Sequence, residues 1–166
     1  MSTNWYTPWV TEMLSFMRTA WPEANCFTSI QALRMNVTSQ VSRQNQSITN
    51  NITKAPWGIL WQGEAMQKPT GIGNMTARLP VTFYYVDQID ATTTPDEERL
   101  SNKIWTLKSL IDEVNSPFTS CERIEYGSVN SGASLPENLA FLGHKGAIEA
   151  ASLSYEPGFM VGYLKT

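Results

Sequence analysis

The stretch Ala77-Arg78-Leu79-Pro80-Val81-Thr82-Phe83-Tyr84-Tyr85-Val86-Asp87-Gln88-Ile89, followed shortly by Thr94-Pro95-Asp96-Glu97-Glu98-Arg99-Leu100, sets a strand before a capped helix. In the first part Leu79, Val81, Phe83 and Tyr85 alternate with Arg78, Pro80, Thr82 and Tyr84, the period of two that a strand imposes. In the second, Thr94 can cap and Pro95 suits the first helical position. Asp96, Glu97 and Glu98 then meet the positive end of the helix dipole. Leu100, Ile104, Leu107, Ile111 and Val114 step by four and three residues, one continuous apolar stripe. Pro117 closes the predicted helix.

Working outward, Thr7-Pro8 opens an earlier helix, with Trp9, Val10, Met13, Leu14 and Met17 at helical spacing and Trp21-Pro22 as its stop. Residues 26–41 read as a strand, with Leu33, Met35, Val37 and Val41 on one face. A polar stretch, 42–51, reads as a hairpin tip carrying Arg43 as its single charge, and residues 57–61 as the returning strand. Gln67–Asn74, with Pro69, Gly71 and Gly73, reads as a loop. Thr119–Val129 and Ala147–Tyr155 read as further strands, joined by a connection with a short helical turn at Glu137–Phe141. The expectation is a single α+β domain over 1–166: an antiparallel β-sheet with two main helices packed on one face, plus an extended β-hairpin arm at 33–61.

With 166 residues, 42% of them hydrophobic, and a mean hydropathy of −0.26, the chain fits one globular domain with a real core. No apolar run is long enough to span a bilayer, and residues 1–5 lack the basic and apolar regions of a signal peptide, so a cytoplasmic origin is expected. Cys26 and Cys121 stand apart, outside any metal-ligand spacing, and read as buried free thiols. The sequons at Asn36, Asn45, Asn51 and Asn74 read as products of an Asn/Thr/Ser-rich composition. Charge is uneven: residues 1–80 hold six Lys/Arg against three acids, net +3, and residues 81–166 hold six against twelve, net −6. Such an imbalance can align neighbouring subunits head to tail, but it reads rather more simply as a byproduct of one acidic helix. No Lys/Arg cluster marks a nucleic-acid surface.

The chemical inventory is sparse. His144 is the single histidine, in a Gly-flanked loop, without a partner at metal spacing or a GxSxG elbow for a triad. Gly71-Ile72-Gly73 lacks the rest of a dinucleotide or P-loop motif. Asp87 and Asp90 read as a solvated strand end, and Glu122 and Glu125 fall on opposite strand faces. Catalytic, cofactor and metal sites are therefore all expected to be none. What remains is aromatic: six Trp, six Tyr and six Phe. These exceed the need of one helix–sheet core, and tryptophan is enriched where proteins meet. The candidate interface residues are Trp5, Trp57, Trp61 and Trp105, with Arg43 and His144.

The order of elements resembles the tail terminator (tail completion) proteins of long-tailed bacteriophages. The likeness is carried by Ala77–Asp90 running through Thr94–Leu100 into the helix, by Glu122–Gly127, and by Gly146–Glu156. It implies a structural virion protein of the tail or neck, made in the host cytoplasm. It also implies a self-assembled homohexameric ring meeting the tail tube protein and a head-completion or connector protein, with no membrane and no catalytic residues. A lumen that passes DNA would bring the polar hairpin near phosphate, although two Arg and one Lys neutralise little, so a neighbour contact suits the arm better. Alternatives are another neck, tail-tube or baseplate subunit, or a small ligand-binding domain or enzyme whose inter-subunit site uses Asp87, Asp90 and His144.

Overall fold

The fold is α+β. A computed structural model describes residues 6–32, 34, 55–63, 66–71, 74–78, 80–89, 96–112, 128–133, 135–137, 139–140, 142, 148–155 and 158–163. In chain order the elements are α1 (Tyr6–Ala20), β1 (Asn25–Thr28), β2 (Trp57–Gln62), β3 (Met66–Gly71) and β4 (Asn74–Arg78). There follow β5 (Val81–Gln88), α2 (Asp96–Asp112), β6 (Ser128–Ala133), β7 (Ile148–Tyr155) and β8 (Gly158–Tyr163). Strands form a five-stranded sheet, β1-β2-β5-β7-β6, and a three-stranded sheet, β3-β4-β8.

Both helices lie on one face of the larger sheet, as their stripes require. Trp9, Met13, Leu14 and Met17 of α1 and Leu100, Ile104, Leu107 and Ile111 of α2 form one core with Leu60, Val81, Phe83, Tyr85, Ala151, Leu153 and Tyr155. Each α2 stripe residue, at 2% exposure or less, contributes on the order of 1.5–3 kcal/mol through removal of apolar surface from water. Helix α1 stops where Pro22 follows: the Trp21 amide closes the last turn onto Met17 O at 2.8 Å, and the chain then turns into β1. The alternation read in β5 and β7 holds, with Val81, Phe83 and Tyr85 and their partners Tyr155, Leu153 and Ala151 turned to the helices.

The opposite face is also buried. Phe27, Ala32, Trp57, Ile59, Tyr84, Val86 and Ala150 form a second core with Leu139 and Leu142. Residues 29–32 are helical, and residues 137, 139, 140 and 142 adopt a 3₁₀ conformation in the stretch where a helical turn is expected. On this face the hydroxyls of Thr82 and Ser154 meet at 3.1 Å, pairing polar atoms across β5 and β7.

The strand expected over 26–41 is corrected, since it ends at Thr28; of the hairpin arm expected at 33–61, residues 35–54 lie outside the described residues. Strand β1 pairs parallel with β2, Asn25 opposite Trp57 and Thr28 opposite Leu60. A parallel pair needs a crossover rather than a hairpin turn. The reason β1 stops at Thr28 is a capping box. Thr28 Oγ1 accepts the Gln31 amide at 3.3 Å, and Gln31 Oε1 accepts the Thr28 amide at 2.9 Å, so a helical turn begins where the strand reading continues. The larger sheet is consequently mixed, not wholly antiparallel. Arg43 and the hairpin tip lie outside the described residues.

Three further readings change. Where a loop is expected over Gln67–Asn74, residues 67–71 and Asn74 lie in the antiparallel β3–β4 pair, in which Gly71 stands opposite Asn74 and Pro69 opposite Met75. Strand β3 has one neighbour in its sheet, so its proline sits where a missing N–H costs least. The single strand read over 77–89 is two strands in different sheets, separated at Pro80, whose carbonyl accepts the Gly63 amide at 2.8 Å. Finally, β8 adds a strand after Tyr155, and β6 begins at Ser128, most of the expected 119–129 strand lying outside the described residues.

Candidate functional site

The six candidate interface residues separate sharply. Trp57 is a correction: it is fully buried in the second core, because β2 has apolar cover on both faces and its outward position is not a surface. Trp61, at the end of β2, is half-buried and packs against the same cluster. Trp9 and Trp21 are likewise fully buried, in the first core. The aromatic surplus thus shrinks once a second core is counted. Trp105 remains, 50% exposed on α2. Trp5, Arg43 and His144 lie outside the described residues.

Trp105 is exposed because it lies one position off the Ile104 stripe, which turns its ring away from the sheet. It borders an open groove of about 600 Å³ between the end of α1 and the outer face of α2, lined by Thr19, Ala20, Asn102, Trp105, Thr106, Ser109 and Leu110. None of these side chains is charged. Two of the hydroxyls are already committed: Thr19 Oγ1 donates to Ser15 O at 2.9 Å, and Thr106 Oγ1 donates to Asn102 O at 2.7 Å. Hydroxyls tied to their own helix carry less desolvation cost when a surface is covered. Lys108 Nζ lies 5.9 Å from the Trp105 ring centroid, a cation over an indole face at the rim.

Two polar clusters, neither evident from sequence spacing, hold α2 in place. In the first, Asp87 of β5 and Glu149 of β7 are directly opposite in register, where two carboxylates alone would repel. Arg99, from the first turn of α2, bonds both: an ion pair to Asp87, and Nη2 to Glu149 Oε1 at 3.3 Å. Asp87, read as a solvated strand end, is instead 14% exposed and engaged by the guanidinium. In the second cluster, Lys103 Nζ reaches Glu23 Oε1 at 2.5 Å, and Tyr85 Oη donates to the same oxygen at 3.1 Å. Trp21 Nε1 donates to Lys103 O at 2.8 Å and its ring meets Tyr85 edge-on, centroids 5.2 Å apart.

These contacts move protons in opposite directions. Burial alone would raise the Glu23 carboxyl, but the hydrogen bond and charge of Lys103, with help from Tyr85, hold it below its usual range. Burial, reinforced by the Glu23 carboxylate, pushes the Tyr85 phenol well above its usual value. Cys26 is a free thiol, pushed by burial up to about 11 against a smaller opposing pull from Arg18, a direction that suppresses thiolate reactivity. Its Sγ lies 2.8 Å from where a Cβ on Gly58 would stand, so the glycine is required by close packing under α1.

Among the described residues no group of three or more His, Cys, Asp or Glu side chains could hold a metal ion. Among the described residues no helix is long and apolar enough to cross a membrane. The chemistry the described arrangement offers is burial and pairing: a covered mixed sheet, salt-bridged helices and one uncharged groove with an indole at its edge. No family model matches the chain, and no curated protein matches it in sequence.

Proposed function

We propose that the chain is a structural virion protein that performs no catalysis: a ring-forming tail terminator, or tail-completion subunit, at the head–tail junction of a bacteriophage. In this reading it assembles with copies of itself and contacts the tail tube protein and a head-completion or connector protein. The observation that carries the reading is Trp105, a large apolar ring half-exposed on the outer face of α2 and set beside a groove with no charged lining. A large ring left in water beside pre-satisfied hydroxyls suits a surface covered on assembly. The specific assignment comes from the resemblance, which implies an antiparallel sheet packed on helices; the mostly antiparallel sheet with helices on one face agrees with it at the level of fold class.

The rival reading, a ligand or catalytic site using Asp87, Asp90 and His144, is weakened by the Arg99–Asp87 pair, which occupies its first carboxylate. The test is peptide mass spectrometry of purified particles, with cryo-EM to place the subunit. A position at the junction between head and tail is expected. A polypeptide absent from particles, or a lone subunit that turns over a substrate, would refute the proposal.

A further inference from the structure

We infer that the outer face of α2 is the docking site for the same face of a second copy, the two helices packing antiparallel about a two-fold axis. This rests on the assembly reading above and names the partner that covers Trp105 in the free protein. Glu98, Asn102, Trp105, Thr106 and Ser109 are all exposed. Glu98, Asn102, Trp105 and Ser109 step by four, three and four residues, so they share one helix face. Trp105 therefore stands two turns, about 10 Å, beyond Glu98 on a single surface.

The start of that surface joins an apolar side chain to an acid. The Arg99–Asp87 ion pair ties the first turn of α2 to the end of β5. It places Glu98 and Ile89, one and two residues from the pair, at the same end of the molecule. Ile89 is 50% exposed, as is Trp105; with Ile30 they are the exposed large apolar side chains among the described residues. Two turns along α2, Trp105 and Lys108 supply an apolar ring and a cation, Lys108 Nζ lying 5.9 Å from the ring centroid. The groove lining beside them is uncharged.

Charge fixes the direction of the pair. Antiparallel packing lays the Ile89–Glu98 end of each copy against Trp105 and Lys108 of the other, twice over. The indole then covers isoleucine, and lysine meets glutamate. Lys108 carries three N–H donors, so it serves an acceptor in its own chain and one across the pair. A parallel pair would set Glu98 against Glu98 and Lys108 against Lys108. Ile30 is not the counterpart, because the next charged residue in its segment, Arg34, has the sign of Lys108. A two-fold contact closes on itself and does not propagate round a ring. The pair is therefore the form of the free subunit, keeping the indole from water until the junction supplies its own cover.

The test is the oligomeric state of the full chain over a concentration series, by mass photometry and analytical ultracentrifugation. Wild type is expected to be a dimer in equilibrium with monomer, and Trp105→Ala to weaken the dimer by about tenfold or more. Glu98→Lys and Lys108→Glu are each expected to weaken it by about tenfold, since like charges then face each other. Mixing these two variants is expected to restore a heterodimer, because both cross-contacts become opposite in sign. A folding defect in either variant is not cured by mixing. The inference is overturned by a wild type that stays monomeric, by Trp105-dependent species larger than dimers, or by a mixture no tighter than its parts. If the subunit occupies the head–tail junction in particles yet is monomeric alone, the two-fold contact fails by itself. If it is absent from particles, the assembly reading fails, whatever its state in solution.

Discussion

Replacing Arg99 by Met removes the guanidinium that lies between Asp87 and Glu149 while keeping most of its aliphatic volume. The two carboxylates are register partners on β5 and β7, with side chains 14% and 22% exposed, and the Arg99 side chain is 26% exposed. Removing one member of a buried ion pair costs about 3–5 kcal/mol, because the remaining charge is left uncompensated. Residual exposure reduces that, so Arg99→Met should cost about 2–3 kcal/mol. For a chain of this size that corresponds to a fall in Tm of roughly 4–12 °C. Urea unfolding followed by tryptophan fluorescence reads it directly, since Trp9, Trp21 and Trp57 are fully buried. The decisive measurement is the double variant Arg99→Met/Glu149→Gln. Neutralising one of the facing acids should recover about half of the loss, roughly 1 kcal/mol, because the cross-strand repulsion disappears with it. A single variant within about 0.5 kcal/mol of wild type, or a double variant showing no coupling, would refute the claim that the guanidinium bridges the strands.

Gly58→Ala should destabilise by about 1–3 kcal/mol, as a Cβ would press on Cys26 Sγ, and Cys26→Ala in the same chain should return part of that; denaturant midpoints of the two variants decide it. Trp57→Ala should cost about 3–5 kcal/mol, whereas Trp105→Ala should cost under about 1 kcal/mol yet impair assembly; calorimetry paired with mass measurement separates the two roles. Because the Tyr85 phenol is raised in the folded state, its stabilising contribution is complete below the ordinary tyrosine value of about 10 and is lost as pH rises above it. Tyr85→Phe should therefore flatten the alkaline loss of stability. The Glu23 carboxyl is lowered, so its contribution is present above the ordinary glutamate value of about 4.3 and fades as pH falls through the folded value; Lys103→Met should shrink this acid limb in pH-dependent unfolding.

Local pattern determined much of this protein. The Leu100–Ile111 stripe with its acid-rich start, the Trp9–Met17 stripe ended by Pro22, and the period-two runs of β5 and β7 each specify an element and its buried face. Their information lies within a few residues, where helical or strand periodicity acts. The capping box at Thr28-Ser29-Ile30-Gln31 was equally legible, yet the apolar alternation beyond it suggests a strand; the reciprocal hydrogen bonds prevail because they satisfy two amides at once. Trp105 one place off the α2 stripe likewise announced its exposure from sequence.

Tertiary structure decided what periodicity does not encode. Whether β2 meets β1 in parallel, which strands leave the main sheet for β3-β4-β8, and that a second core claims Trp57 all depend on non-local pairing. That pairing is set by the total surface buried rather than by any window of residues. The same holds for Arg99 between Asp87 and Glu149: a cation at a helix start opposes the dipole locally, and only the register that brings two acids face to face makes it favourable.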